Sequence, residues 1–178
     1  MREIELLDKR FSEFIHEDLI RARVTEIAED INRDLEGRDV IFISILNGAF
    51  IFSSDLFRLI SLKARISFVK ASSYAGTRST GNVKELIGLN EDISNKHIVI
   101  LDDIIDTGKT IEAIMEMVIE KDPASVRVAA LLLKPESFDS RIKISYTGFE
   151  IANDFVVGYG LDYEGYGRNL TSIYKLIK

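Results

Sequence analysis

The chain contains no cysteine. Disulfide frameworks, thiolate nucleophiles and cysteine-based zinc sites are therefore excluded. Long apolar runs are missing too. The longest, Val128 to Leu133, is six residues, whereas a membrane-spanning helix needs roughly twenty. The opening MREIELLDKRF mixes charges and shows no apolar h-region, so no secretory signal is expected and the cytoplasm is the expected location. Nor is basic charge in excess: 23 lysines and arginines stand against 29 acidic residues, for a net charge of -6. That balance argues against a nucleic-acid partner, because counterion release needs a concentrated basic face. Internal repeats, linkers and low-complexity tracts are absent. With 178 residues and 46% hydrophobic composition, one compact domain spanning residues 1–178, with a real core, is predicted.

What is present alternates between two periods. Ile20, Val24, Ile27, Ile31 and Leu35 recur at three- and four-residue steps, which predicts an amphipathic helix from His16 closed by Gly37. The stretch "VIFISIL", 40 to 46, is short and β-branched and reads as a fully buried strand. After "NGA", helical spacing resumes from Phe50 to Ile60. "RISFVKAS", 65 to 72, alternates like a strand, and "SYAGTRSTGN", 73 to 82, has the composition of a surface loop. Ile98 to Leu101 predict a buried strand. A helix follows with Ile111, Ile114, Met115, Val118 and Ile119 on one face, ending near Asp122-Pro123, and "VRVAALLLK", 126 to 134, predicts another strand. Strands alternating with helices indicate a parallel twisted α/β sheet flanked by helices. The tyrosine-rich, glycine-broken last 45 residues are expected to form a cap or an antiparallel appendage.

The densest chemistry lies in "HIVILDDIIDTGKT", 97 to 110. In an open α/β sheet the ligand lies beyond the carboxyl ends of the strands. Asp102 and Asp103 fall at such an end, and Thr107 to Thr110 offer free backbone N–H groups at a helix start, an anion site. Carboxylates repel phosphate, so they must serve another part of the same ligand, either sugar hydroxyls or a cation such as Mg²⁺. Asp106 is also placed to act as the helix N-cap. A Walker A reading of Gly-Lys-Thr fails, because Asp103 stands where that motif needs its first glycine.

The segment "VILDDIIDTGKT" resembles the phosphoribosyl-pyrophosphate (PRPP) signature of the type I phosphoribosyltransferases. "TGFEIANDFVVGYGLDYEGYGRNL", 147 to 170, is similar to the purine-binding hood of the hypoxanthine-guanine members of that family. "LNGAF", 46 to 50, and "SSYAGTRSTGNVK", 72 to 84, fall where the family has its pyrophosphate loop and its flap. The resemblance covers nearly the whole chain in order. It implies a type I phosphoribosyltransferase fold, with a core over roughly 16–135 and a small hood from roughly 136–178 together with the N-terminal residues. The activity implied is Mg²⁺-dependent transfer of 5-phosphoribosyl from PRPP to N9 of hypoxanthine or guanine, giving IMP or GMP and pyrophosphate, by a pentosyltransferase that forms a homodimer or homotetramer.

Carried over position by position, the resemblance places Asp102 and Asp103 on the ribose hydroxyls, directly or through metal. Asp106 faces the purine N7 as acid/base. Asp106, Thr107, Gly108, Lys109 and Thr110 surround the 5′-phosphate. Asn47, Gly48, Ser73, Tyr74 and Arg168 meet pyrophosphate, with a cis peptide typical of the loop. Lys143 matches the lysine on the purine O6, Phe155 stacks on the base, Val156 offers main-chain groups, and Asp162 serves metal and base. Two departures stand out: Asn47 replaces a lysine common in the loop, and Asp102 replaces a frequent glutamate. A xanthine-preferring enzyme and a non-catalytic regulator of the same fold are the alternatives. Residues 73 to 82 are expected to close as a lid that excludes water from an oxocarbenium-like state.

Overall fold

The structure is a computed structural model that describes residues 2–72, 85–139 and 141–177. The chain begins with a hairpin of β1 (Glu3–Leu6) and β2 (Lys9–Ile15), then forms α1 (Glu17–Asp34), β3 (Asp39–Leu46), α2 (Phe50–Phe57) and β4 (Lys63–Ser72). There follow β5 (Glu85–Ile87), β6 (His97–Ile105), α3 (Lys109–Ile119), β7 (Ser125–Leu133) and β8 (Tyr146–Glu150). Two short strands complete the chain, β9 (Val156–Val157) and β10 (Ile173–Leu176).

Six strands form the larger sheet in the order β5-β4-β3-β6-β7-β8. All neighbours are parallel except the edge strand β5, which runs antiparallel to β4. The continuous apolar strands follow from burial on both faces. Val40, Phe42, Val99, Leu101, Ala129 and Leu131 pack under α1 and α2. Their sequence neighbours Ile41, Ile43, Ile98, Ile100, Val128 and Ala130 pack under α3. His16 starts α1 by accepting from the Asp18 amide through Nδ1, at 3.3 Å, with Glu17 and Asp18 in a first turn that favours negative charge.

Three elements differ from the sequence reading. The second helix ends at Phe57 rather than Ile60, because Leu59 and Ile60 donate to Leu56 and Phe57 in a tighter i→i+3 turn. β6 pairs with β7 as far as Ile105↔Leu133, so the strand runs past both aspartates instead of stopping at Leu101. β8 joins the larger sheet beside β7, so the core extends to Glu150 and does not end near residue 135. The hood is a separate antiparallel sheet, β1-β2-β10-β9, closed on Phe11, Val157 and Tyr174. Two of its four strands come from the N-terminal hairpin. No helix among the described residues is long and apolar enough to cross a membrane.

Chain order reverses between β3 and β6. From β3 the chain moves outward to β4, and from β6 it moves outward to β7 and β8. Their carboxyl-end loops therefore diverge and leave a crevice, which is where an open α/β sheet takes its ligand. α2, which carries the chain out of that crevice, is fastened to β3 by a buried hydrogen bond: Ser53 Oγ donates to Ser44 Oγ at 2.7 Å, with both residues fully buried. Removing either hydroxyl leaves the other in an apolar layer without its partner. Ser53→Ala and Ser44→Ala should each lower unfolding free energy by about 1–3 kcal/mol. The double variant should cost clearly less than the sum, as measured by denaturant unfolding. Additive losses would show that the two hydroxyls do not depend on each other.

Candidate active site

Asp102 is buried at 7% exposure and Asp103 is half-buried. Strand alternation sends neighbouring side chains to opposite faces, and Asp103 shares the face of Val99 and Leu101, toward α2. Burial, and then the adjacent Asp103 carboxylate, push the Asp102 carboxyl well above the ordinary carboxylate range. Burial raises Asp103 as well, against the opposing effects of its contact with Asp102, of backbone N–H groups and of the Arg168 charge. This is a desolvated acidic pair that a cation or a set of hydroxyl donors would relieve.

Beyond Ile105 the chain enters α3 through Asp106, Thr107 and Gly108. The N-cap is Gly108, at φ +87°, with no side-chain cap bond, which overturns the N-cap reading of Asp106. The first amides of α3, from Gly108 to Ile111, have no intrahelical acceptor. With Asp102, Asp106, Thr107 and Thr110 they surround a cavity of about 180 Å³. Lys109 and both threonines are exposed. The segment can hold an anion through backbone N–H groups and hydroxyls.

Asp106 has a partner that the sequence reading did not identify. Lys134 Nζ donates to Asp106 Oδ2 at 2.8 Å, and its side chain is only 14% exposed. The Lys134 amide also donates to the Ile105 carbonyl, so the two residues stand together at the carboxyl ends of neighbouring strands. Lys143, the lysine expected at the base, is exposed and precedes β8. Ser145 N donates to Val128 O, and Val128 is level with Ile100. Asp106 therefore lies about 20 Å further along the strand direction, at some 3.3 Å per residue. Lys143 is at the wrong end of the sheet to meet a base held by Asp106. The available signal was position: Lys134 directly ends the longest apolar run, as the acids end the run in β6.

The opposite wall is the loop after β3. Its Leu46–Asn47 peptide is cis, and Asn47 is exposed. A β-carbon on Gly48 would lie 1.7 Å from Asp103 Oδ2, so only glycine lets this loop rest on the carboxylate. The hood closes on the loop from above. A β-carbon on Gly160 would lie 2.1 Å from the Gly48 carbonyl oxygen. Arg168 donates through one guanidinium nitrogen to Gly160 O and through another to Asp162 Oδ1, both at 2.6 Å. Asp162 Oδ2 accepts from the Gly165 amide at 2.7 Å.

Phe155 is 45% exposed, with its ring 6.2 Å from Phe11 and edge-on to Tyr163 at 5.9 Å. Val156 is buried in β9. Two contacts tie this part of the hood to Lys134. Ile151 N donates to Leu133 O, and Ser137 Oγ donates to Asn153 Oδ1 at 2.5 Å. Asn47, Gly48, Asp102, Asp103, Asp106 to Thr110 and Arg168 are thus assembled at one crevice, with Phe155, Val156 and Asp162 on the hood joined to it. Ser73 and Tyr74, with the rest of the expected lid, lie outside the described residues. Among the described residues no three metal-ligating side chains cluster into a cage.

The sequence and the fold both resemble those of known proteins. The model of the phosphoribosyl transferase domain family matches residues 12–164. The chain is 38% identical over 161 residues to the hypoxanthine-guanine phosphoribosyltransferase of Mycobacterium tuberculosis, covering 86% of this chain and 80% of that one. It is 40% identical over 166 residues to the hypoxanthine phosphoribosyltransferase of Buchnera aphidicola, covering 92% and 94%. The solved hypoxanthine phosphoribosyltransferase of Staphylococcus aureus superimposes with a TM-score of 0.85 at 35% identity, covering 93% of this chain and 91% of that one.

Gly48→Ala tests the contact between loop and carboxylate. The added methyl must displace either the loop or Asp103. Turnover assayed with PRPP and hypoxanthine should fall about 10²-fold, the usual loss for a misplacement of an ångström at a reacting centre, while the melting temperature changes little. Wild-type turnover would show that Asp103 need not stand against the loop.

Proposed function

The chain belongs to the phosphoribosyl transferase family, and from that premise we propose that it is a hypoxanthine phosphoribosyltransferase of purine salvage, accepting guanine as well. The observation that carries this reading is the Lys134–Asp106 pair at 2.8 Å, a donor and an acid/base at one point of the crevice. An ammonium has three donors and no acceptor. With one donor on Asp106, Lys134 keeps two for the carbonyl oxygen at C6 of hypoxanthine or guanine. Adenine carries an amino group there and offers no acceptor in its place.

In the reaction, N9 of the purine bonds to C1 of the sugar as the bond from C1 to the pyrophosphate oxygen breaks, and that electron pair leaves with pyrophosphate. Positive charge develops at C1. The Asp102–Asp103 pair lies under the ribose, orienting its hydroxyls and stabilising that charge. Asp106 accepts the proton that the purine imidazole loses, at N7, and the Lys134 ammonium holds the carboxylate in place for it. Thr107 to Thr110 grip the 5′-phosphate. The amides around Gly48 and the Arg168 guanidinium, whose fork suits phosphate oxygens, receive the leaving group, and Phe155 covers the base.

The donor set suits a divalent cation. Mg²⁺ is commonly held by one or two carboxylates with water and substrate phosphates, not by a closed protein cage. Asp102 and Asp103 would hold it on the ribose side. Asp162 would hold it on the hood side, where each carboxylate oxygen keeps a lone pair beyond its bonds to Arg168 and Gly165. When bound, Mg²⁺ supplies charge neutralisation to the pyrophosphate. PRPP and the nucleotide products are polyanions that do not cross membranes unaided, which supports a cytoplasmic location. The homo-oligomer, dimer or tetramer, fits the exposed Phe50 and Phe68 beside the pyrophosphate loop and its neighbouring strand.

Three substitutions test Lys134 against Lys143 as the lysine that meets the base. Asp106→Asn and Lys134→Ala should each lower turnover with hypoxanthine, by about 10²- to 10⁴-fold for the loss of the acid/base. Lys143→Ala should leave both bases unaffected. Steady-state kinetics with PRPP in excess decide the matter. A Lys143→Ala variant impaired for purine, alongside an active Lys134→Ala variant, would overturn the site as drawn.

A further inference from the structure

Immediately after β9 the backbone turns through three consecutive residues at positive φ: Gly158 at +102°, Tyr159 at +50° and Gly160 at +103°. The outer two are glycines, which adopt such angles freely, but a tyrosine between them is in a conformation that its β-carbon disfavours. The reaction described so far uses nothing of this side chain. The tyrosine is nonetheless fixed. Its ring is buried at 7% exposure, among residues of α1 and α2. Its hydroxyl donates to Asp55 Oδ2 on α2 at 2.7 Å. Burial, and then that carboxylate, push the phenol above its ordinary range, so it stays a donor. Tyr159 N donates to Leu170 O and Gly160 N to Arg168 O.

The position of this turn matters because of what lies one residue on. Gly160 sits against the Gly48 carbonyl, and Gly48 sits against the Asp103 carboxylate. Asp55 lies on the same helix that leaves the Gly48 loop. The Tyr159–Asp55 bond thus joins the two ends of one short circuit, from Gly48 through α2 to Asp55, and from Tyr159 through Gly160 back to Gly48. Arg168, bonded to Gly160 O, hangs from the same turn.

We propose that Tyr159 and Asp55 are positioning residues for the pyrophosphate half of the reaction, seating the Gly160 turn on Gly48 and so fixing the loop and Arg168 where the leaving group is received. The proposal rests on the functional reading above and adds a role that the purine half does not share. A purely structural role would disturb binding of both substrates together, or only the melting temperature.

The test compares Tyr159→Phe, Asp55→Ala and Asp55→Asn in the full-length protein. Tyr159→Phe keeps the buried ring, and Asp55→Asn keeps an oxygen that can accept. For Tyr159→Phe and Asp55→Ala, the KM for PRPP and the Kd for inorganic pyrophosphate should rise about tenfold, the scale of one lost hydrogen bond to a charged group. The KM for hypoxanthine should change less than twofold, and Asp55→Asn should lie closer to wild type than Asp55→Ala. Equal changes for both substrates, or unchanged pyrophosphate binding in both variants, would overturn the proposal. Calorimetry with pyrophosphate and Mg²⁺ needs no purine, so it reads the loop directly. A wild type that bound pyrophosphate yet failed to use hypoxanthine would count against the purine assignment and leave this proposal standing.

Discussion

A parallel sheet buried on both faces has no low-energy place for two adjacent carboxylates, and Asp102 and Asp103 are held there at the end of β6. Burial pushes both toward the protonated form. The surrounding parts are arranged to make use of this cost. The Gly48 loop rests directly on Asp103 with no side chain between them. Arg168 lends partial compensation from the hood, and the free amides of α3 stand a turn away to receive the anionic part of the same ligand. A sugar phosphate satisfies all three at once: its hydroxyls and a metal meet the acids, and its phosphate meets the amides. The desolvated pair is therefore unfavourable alone and complementary to a positively charged sugar carbon, which is the condition for favouring a transition state over a ground state.

The crevice has two halves with different mechanical origins. The purine half is built on the ends of β6 and β7, where Asp106 and Lys134 are joined both by their side chains and by the Lys134 amide to Ile105. The pyrophosphate half is built from a loop and a hood turn that meet through bare backbone, Gly160 on Gly48. Sheet ends are rigid, whereas a loop and a turn need outside ties, which Ser44 with Ser53 and Tyr159 with Asp55 supply. That division gives a role to the buried Ser53 and the half-buried Asp55 of α2, both outside the reacting groups.

Much of this could be read from the residues. The three buried strands, 40 to 46, 98 to 101 and 126 to 134, were legible because burial on two faces writes itself as nearly continuous apolar runs, broken only by Ser44 and Arg127 before Lys134 ends the last. α1 was legible because Ile20, Val24, Ile27 and Ile31 keep one face. The phosphate segment was legible because acids, glycine and threonine come in one continuous stretch. What a linear pattern does not carry is which end of the sheet a residue reaches. Lys143 and Lys134 both flank strands, but one precedes β8 and the other follows β7, and only the parallel register separates them. The same blindness hid β8 within the expected hood, since five residues with an interior glycine look alike in either sheet. Gly108 displaced Asp106 as N-cap because Asp106 has a largely buried cation to answer, a partner 28 residues away in sequence.

Everything in this crevice is consistent with one reaction, the transfer of a phosphoribosyl group onto a 6-oxopurine. Its most direct measurement is a steady-state assay of the purified protein with PRPP and Mg²⁺ against hypoxanthine, guanine, xanthine and adenine, following nucleotide and pyrophosphate together. IMP or GMP should form one-to-one with pyrophosphate, and no AMP should form. Preferential use of adenine, or pyrophosphate release without nucleotide from hypoxanthine or guanine, would contradict this assignment.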